Sequence, residues 1–292
     1  MKIIAVLVLY NCDVNEAKTL SSLIQGYNQD PGAFKNFKLI LYDNGSSDQI
    51  TALNIPFEYK YILDSSNSGL AIAYNYALNE GVKSGYDWLL LLDQDSSLPM
   101  NFIADLSCNV NEIKEDPAVM AVVPKMYYNN FLFSPSRVLF GGVHRPIDSN
   151  HKGICEFDVF AIGSASAVRI TFLEKIGGFN EIFWLDCLDR WLYLTIRNSG
   201  GVVFVTDLVI EHDLSVLDYN LFLNEKRYQN ILKYETLFMK LYKSKPENYV
   251  YYLRLIKRSL TFYMNKKNRK YSTLTLSHLK KIYNSPNFRT AS

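Results

Sequence analysis

A chain of 292 residues, 48% of them hydrophobic, can bury a large core and is not a disordered protein. No apolar run reaches the roughly 18 residues of a membrane span, and the four cysteines, Cys12, Cys108, Cys155 and Cys187, are widely spaced without a CxxC, which suggests neither a disulfide framework nor a zinc site and suits a reducing cytoplasm. The net charge of +2 conceals a division: residues 1–225 hold 15 basic against 27 acidic side chains, a net −12, whereas 226–292 hold 16 against 2, a net +14. A basic tail on an acidic body points toward an anionic surface, membrane or nucleic acid.

In chain order, Ile3 to Leu9 of MKIIAVLVLYNCD is an apolar run that passes into polar residues with no small-residue cleavage site, so it reads as an internal first strand. A helical pattern through Leu20, Leu23 and Ile24 follows, with Gly26 as its expected stop. Lys38 to Tyr42 is a second strand running into Asp43, Asn44, Gly45, Ser46, Ser47 and Asp48, which reads as a tight turn opening onto a helix. Tyr59 to Leu63 is a third strand; Asn67, Ser68 and Gly69 then open a helix from Leu70 to about Glu80 with Ala73, Ala77 and Leu78 on one face.

The next stretch is DWLLLLDQDSSLP, Asp87 to Pro99. Trp88 to Leu92 suits a strand buried on both faces, which places Asp93 and Asp95 at its carboxyl end. That edge of an open α/β sheet is where ligands bind, and two such acids can share a divalent cation with a diphosphate and water. The bland alternative is a solvated loop with Asp95 capping the following helix. The repeated strand and helix spacing predicts a doubly wound, mostly parallel sheet.

Leu98 to Glu115 reads as a helix and Val119 to Val123 as a strand, whereas residues 126–160 are aromatic and irregular. Gly163 to Ala167 is small and polar, and Phe172 to Ile176 is helical. Gly177 to Asn180 turns the chain toward FWLDCLD; Trp191 to Asn198 is helical, Gly200 and Gly201 stop it, and Val202 to Val205 is a strand ahead of Ile210, Glu211, His212 and Asp213. No internal repeat or low-complexity segment is present, and no GxGxxG follows the first strand, which argues against a nicotinamide-dependent enzyme.

Taken in order, YN, YDNGSSD, SSNSGLAIAYNYAL, DWLLLLDQDS, KIGGFNEIFWLDCLD and IEHDL resemble the family 2 glycosyltransferases of the GT-A fold over residues 1–215, and DWLLLLDQDS looks most like the bacterial rhamnosyltransferase branch. The resemblance implies a Rossmann-like, mostly parallel sheet flanked by helices, with a nucleotide-sugar half at about 1–97, an acceptor half at about 98–215 and a basic helical extension over 216–292. It implies an inverting, metal-dependent transfer of a sugar, rhamnose first, from a dTDP or UDP donor to a saccharide acceptor. That acceptor would be polyprenyl-diphosphate-linked, in capsule, O-antigen or cell-wall polysaccharide synthesis at the cytoplasmic face of a bacterial membrane.

By the same resemblance, Tyr10, Asn11, Asp43, Asn67, Gly69, Asp93 and Gln94 bind the nucleotide sugar. Asp93, Asp95 and His212 hold Mn2+ or Mg2+, with Asp95 the direct ligand. Gly163, Ser164 and Trp184 lie near donor sugar and acceptor. Inversion needs a carboxylate to deprotonate the acceptor hydroxyl. Asp186 and Asp189 stand where the family carries its acidic motif; the spacing fits Asp186 as base with Asp189 as its partner, and both could instead cap the helix near Trp191. A catalytically silent nucleotide-sugar-binding scaffold of the same fold is the alternative.

Beyond Leu221 the apolar spacing is helical through Tyr228, Ile231, Leu232, Leu237, Phe238 and Leu241. After Pro246 it resumes through Tyr249, Leu253, Ile256, Leu260 and Tyr263 among many cations. This predicts either a basic amphipathic surface for peripheral membrane contact or a bundle packed on the catalytic domain or on a second subunit of a homodimer. Nucleic acid is not expected as a partner.

Overall fold

The computed structural model describes residues 1–45, 54–212 and 224–284, with His212 described by its backbone alone. The turn and helix expected around Ser46 to Asp48, and Asp213 and Leu221, lie outside the described residues. The chain forms two compact units, Met1–Val138 with His144–Asp213, and Leu139–Val143 with Leu214–Ser292.

In the first unit, β1 (Ile3–Leu9), β2 (Phe37–Asn44), β3 (Tyr59–Asp64) and β4 (Trp88–Asp93) pair in parallel, in the order β3-β2-β1-β4. All seven β1 side chains are buried, as are Trp88 to Leu92, because helices cover both faces of such a sheet. The helices here are α1 (Lys18–Gln29) and α2 (Leu70–Ser84). Ala73, Ala77 and Leu78 are buried as expected. Gly26 does not end α1: it sits inside the helix, where an added Cβ would lie 2.7 Å from the Met100 carbonyl oxygen, so this glycine serves close backbone approach.

The segment after Asp95 corrects two expectations. Asp95 caps no helix; a two-residue strand β5 (Ser96–Ser97) follows it, and α3 (Phe102–Glu112) starts only after Asn101. The strand expected at Val119 to Val123 runs on to Tyr128 as β6 (Val119–Tyr128), and the rest of residues 126–160, read as irregular, holds a succession of short strands: β7 (Phe131–Ser134), β8 (Ser136–Leu139), β9 (Val143–Pro146), β10 (Gly153–Cys155) and β11 (Val159–Phe160).

The chain returns through β12 (Ala167–Arg169), α4 (Ile170–Lys175), α5 (Leu188–Asn198) and β13 (Val202–His212). The large sheet runs β10-β13-β6-β12-β4-β1-β2-β3, with β5 on β13 and β7 on β6, while β11-β8-β9 form a small sheet of their own. β12 is antiparallel to both β4 and β6 and so joins the β1–β4 strands to β6 and β13 in one sheet. The architecture is the mixed α/β, mostly parallel sheet flanked by helices that the resemblance implied, with further helices at the C-terminal end.

The second unit is helical: α6 (Glu225–Tyr242), α7 (Lys245–Met264) and α8 (Arg269–Tyr283). Asn224 caps α6, and a Ser244–Glu247 capping box with Pro246 in the first turn starts α7. Tyr228 packs edge to face on both Phe262 and Tyr271 at its centre, and the Tyr228 and Thr275 hydroxyls pair at 2.6 Å. Among the described residues no helix is long and apolar enough to cross a membrane.

Candidate active site

Parallel pairing sets the ends of three strands side by side: Leu9 of β1 is level with Asp43 of β2, and Val8 with Asp93 of β4. Tyr10 and Asn11, Asp43 to Gly45, and Asp93 to Asp95 therefore leave the sheet along one carboxyl edge. Gly45, at φ 95, marks their meeting with the next loop, since an added Cβ there would stand 3.2 Å from Asn67 Cβ and 3.6 Å from the Tyr10 ring. Asp43 is fully buried, and the Tyr61 hydroxyl donates to its Oδ2 at 2.8 Å; the Tyr10 ring is 49% exposed.

The loop that carries the two acids is held from three sides. Gln94 accepts from the Tyr10 N–H at 2.8 Å and donates to the Tyr10 carbonyl at 3.3 Å, which ties this loop to the end of β1. Thr19 at the start of α1 donates from its hydroxyl to the Asp93 and Ser96 carbonyls and accepts from the Ser96 N–H at 3.0 Å. On the far side, the buried Ser164 hydroxyl accepts from the Asp93 N–H at 3.3 Å and pairs with Ser96 Oγ at 2.9 Å. Replacing Gln94 with Ala removes both links to Tyr10. The expected result is a substrate KM raised roughly thirtyfold with kcat changed far less, as two hydrogen bonds of about 1 kcal/mol each would give; initial-rate kinetics check it.

A second link joins the loop before α2 to the acidic segment before α5. The Trp184 indole donates to the Asn67 carbonyl at 3.0 Å, and the Leu70 N–H donates to the Trp184 carbonyl at 2.8 Å. Gly69, at φ 99, makes room for this: a Cβ would come within 2.4 Å of Trp184 Cδ1 and 2.5 Å of its carbonyl oxygen. One turn further along α2, Asn75 accepts from the Phe179 N–H at 2.7 Å and donates to the Phe179 carbonyl and to Glu181, both at 3.0 Å.

Asp186 and Asp189 do not occupy the helix-cap position, which belongs to Cys187 in the left-handed region at φ 68; Asp189 lies in the first turn of α5. The Gly163 N–H donates to the Asp189 carboxylate, and a Cβ on Gly163 would stand 2.5 Å from Asp189 Oδ1. Behind them, the buried Ser166 and Tyr193 hydroxyls pair at 2.8 Å.

The electrostatics follow from this grouping. Desolvation, then Asp95, then Asp189 push Asp93 up to about 8. Burial pushes Asp189 up to about 6, with Asp186 adding to the rise and the Gly163 N–H and Arg190 opposing it. The buried Tyr74 phenol is raised well above its usual value, first by burial and then by Asp93 and Asp189. Cys12 is raised by burial and by surrounding acids that include Asp95 and Asp43, which places this thiol beside both halves of the site. Negative charge gathered in this way is offset by protons or by a cation.

Of the residues expected from sequence, Tyr10, Asn67 and the Asp43–Gly45 segment converge, Gln94 is tied to Tyr10, and Asp93, Asp95, Ser164, Gly163 and Asp189 form one connected group. Trp184 and Gly69 form another. His212 reaches the region by its backbone, level with Ser96 in the β13–β5 pair; its side chain lies outside the described residues. Among the described residues no group of three or more His, Cys, Asp or Glu side chains stands ready to hold a metal ion. Thr19, Tyr61, Tyr74 and Asn75 were not expected; all four are single polar groups whose partners lie far away in sequence.

A mostly parallel sheet whose carboxyl edge carries acids on the two strands that flank β1, with an antiparallel return strand and an acidic helix start beside them, is the edge at which open α/β folds bind ligands. The chain belongs to glycosyl transferase family 2, whose family model matches residues 5–177. Among solved structures, S. aureus TarS residues 1–349 is similar at a TM-score of 0.52 and 16% identity, covering 98% of this chain and 93% of that one. A longer S. aureus TarS structure gives 0.53 at 15% identity over 95% of this chain and 55% of its own. TarS 1–349 in complex with UDP-GlcNAc gives 0.50 at 14%, covering 98% and 93%. Likeness at these identities shows the fold. No curated protein matches the sequence.

Proposed function

We propose that this chain is an inverting glycosyltransferase moving a hexosyl group, rhamnose first, from a dTDP or UDP donor to a hydroxyl of a lipid-linked saccharide in bacterial surface polysaccharide synthesis. The observation that carries it is the grouping of Asp93 with Asp95 and Asp189 at the end of β4, beside the pocket edge formed by Tyr10, Asp43, Gly45 and Asn67. The exposed Tyr10 ring offers a stacking face, Asp43 an acceptor fixed by Tyr61, and Gly69 a close backbone approach at the start of α2, where anions are favoured.

The acids fit a divalent cation by their chemistry: two carboxylates at one strand end offer hard oxygen ligands, and burial first, then Asp95 and Asp189, raise Asp93 to about 8, so its charge calls for an offsetting cation. Asp93 and Asp95 would hold Mn2+ or Mg2+, which when bound supplies positive charge against the departing diphosphate. Asp189 is the base we favour over Asp186: it adjoins Asp93, and the Gly163 N–H fixes one carboxylate oxygen. Its acidity near 6 lets it accept a proton from the acceptor hydroxyl at neutral pH. Ser164 and Gly163 shape the floor beneath the sugar, and Trp184 the wall.

The test is a panel of nucleotide sugars with purified protein and manganese, scored by donor hydrolysis and by transfer to saccharide acceptors. Turnover of one pyrimidine-linked hexose above the others is expected. Tight nucleotide binding with no turnover of any donor would instead mean a silent scaffold.

A further inference from the structure

The sequence left two readings of the basic tail, and the helical unit separates them. α7 buries Tyr251, Leu255, Ser259 and Phe262 inside the bundle. A second apolar set on the same helix is left outside: Tyr249, Leu253, Ile256, Leu260, Tyr263 and Met264, between 45% and 80% exposed. Spaced by four and three residues, these form a stripe about 100° wide. A helix serving only a bundle would carry polar residues there.

Cations flank this stripe. Lys257 lies along one side, and Lys266, Lys267, Arg269 and Lys270 follow its end, all exposed. The Arg269 guanidinium stands 5.2 Å from the Tyr263 ring centre and donates to the Tyr263 carbonyl at 3.2 Å, which brings positive charge to the stripe itself. The two acids within residues 226–292 are engaged elsewhere: Glu235 with Arg258 at 3.0 Å, and Glu247 with Lys243 at 3.4 Å and with Ser244.

The geometry points to this face of α7 as a docking surface for an anionic lipid bilayer, with the apolar stripe seated at the headgroup boundary and the cations against lipid phosphates. The spacing alone would also suit a coiled-coil seam with a second copy. Charge decides between them: a second copy paired through the same α7 seam would set cations against cations with no carboxylate to offset them, whereas an anionic surface offsets all of them, at about 1 kcal/mol per basic residue. Since no described helix is long and apolar enough to span, α7 lies on the bilayer and does not cross it. The inference does not depend on the chemistry proposed for the active site.

The test is co-sedimentation of the full chain with vesicles of equal parts phosphatidylglycerol and phosphatidylcholine, against vesicles of phosphatidylcholine alone. Binding to the anionic vesicles is expected to exceed binding to the neutral ones at least tenfold. Leu253→Ser with Leu260→Ser is expected to lower it by a similar factor, as is Lys266→Gln with Lys267→Gln. Circular dichroism and donor hydrolysis report that the variants remain folded. Equal binding to neutral vesicles, no binding to either, or undiminished binding of the leucine variant would overturn the proposal. A dimer in equilibrium sedimentation that the leucine variant abolishes would do so as well, by giving the face to a second copy.

Discussion

Asp93→Asn is expected to raise the melting temperature of the metal-free protein while abolishing glycosyl transfer. Asp93 titrates at about 8 in the fold against 3.8 as its reference, because burial and the acids Asp95 and Asp189 disfavour its charge. The stability associated with its neutral form is full below about pH 4 and is lost as pH rises through 8. At pH 7 to 8 most of the penalty is present, on the order of a few kcal/mol. The amide removes the penalty, so a rise of roughly 5 °C or more is expected at pH 8, shrinking toward none near pH 4. Manganese should stabilise the native protein and leave the variant unmoved. Calorimetry at several pH values, with and without metal, measures all of this; a variant less stable than the parent at pH 8 would mean that Asp93 is compensated in some other way.

The second large effect is expected at Asp189. Replacing it with Asn keeps the size and the Gly163 contact but removes the proton acceptor, so kcat is expected to fall 10²- to 10⁴-fold with donor KM nearly unchanged. In the native enzyme the rate should decline as pH falls through about 6, where Asp189 becomes protonated, and the variant should lack that limb. Gly163→Ala offers an independent probe, because its Cβ would come within 2.5 Å of Asp189 Oδ1 and displace the carboxylate while leaving its charge. A severe loss in Asp186→Asn with a mild one in Asp189→Asn would assign the base to Asp186, as the sequence spacing suggested.

Much of the sheet was legible because its strands are buried on both faces and so appear as unbroken apolar runs; Ile3 to Leu9 needed no adjustment. The acids that follow such runs were legible for the same reason, as a strand end fixes which edge they occupy. What misled was any residue whose meaning depends on a distant neighbour. Gly26 reads as a helix stop, yet its role is set by Met100. The short strands between 126 and 160 are paired across hairpins or with strands far along the chain, as Gly153 is with Val205, so local periodicity stays faint. Asn75 sits in a helix as an ordinary polar residue, and its hold on Phe179 spans 104 positions. In α7 the spacing picked out Tyr249, Leu253, Ile256, Leu260 and Tyr263, the set left exposed, and missed Tyr251, Leu255 and Phe262, which α6 and α8 bury.

The paired hydrogen bonds between Trp184 and the Asn67–Leu70 turn bear on how this scaffold could be redesigned. The two segments are 117 positions apart, yet neither backbone can shift without breaking the other's bonds. The equivalent turn borrowed from another member of the family would arrive without its matching tryptophan segment and would meet a wall shaped for Gly69. Specificity swaps on this chain should therefore exchange both stretches as one cassette, with Asn75 and Phe179 included.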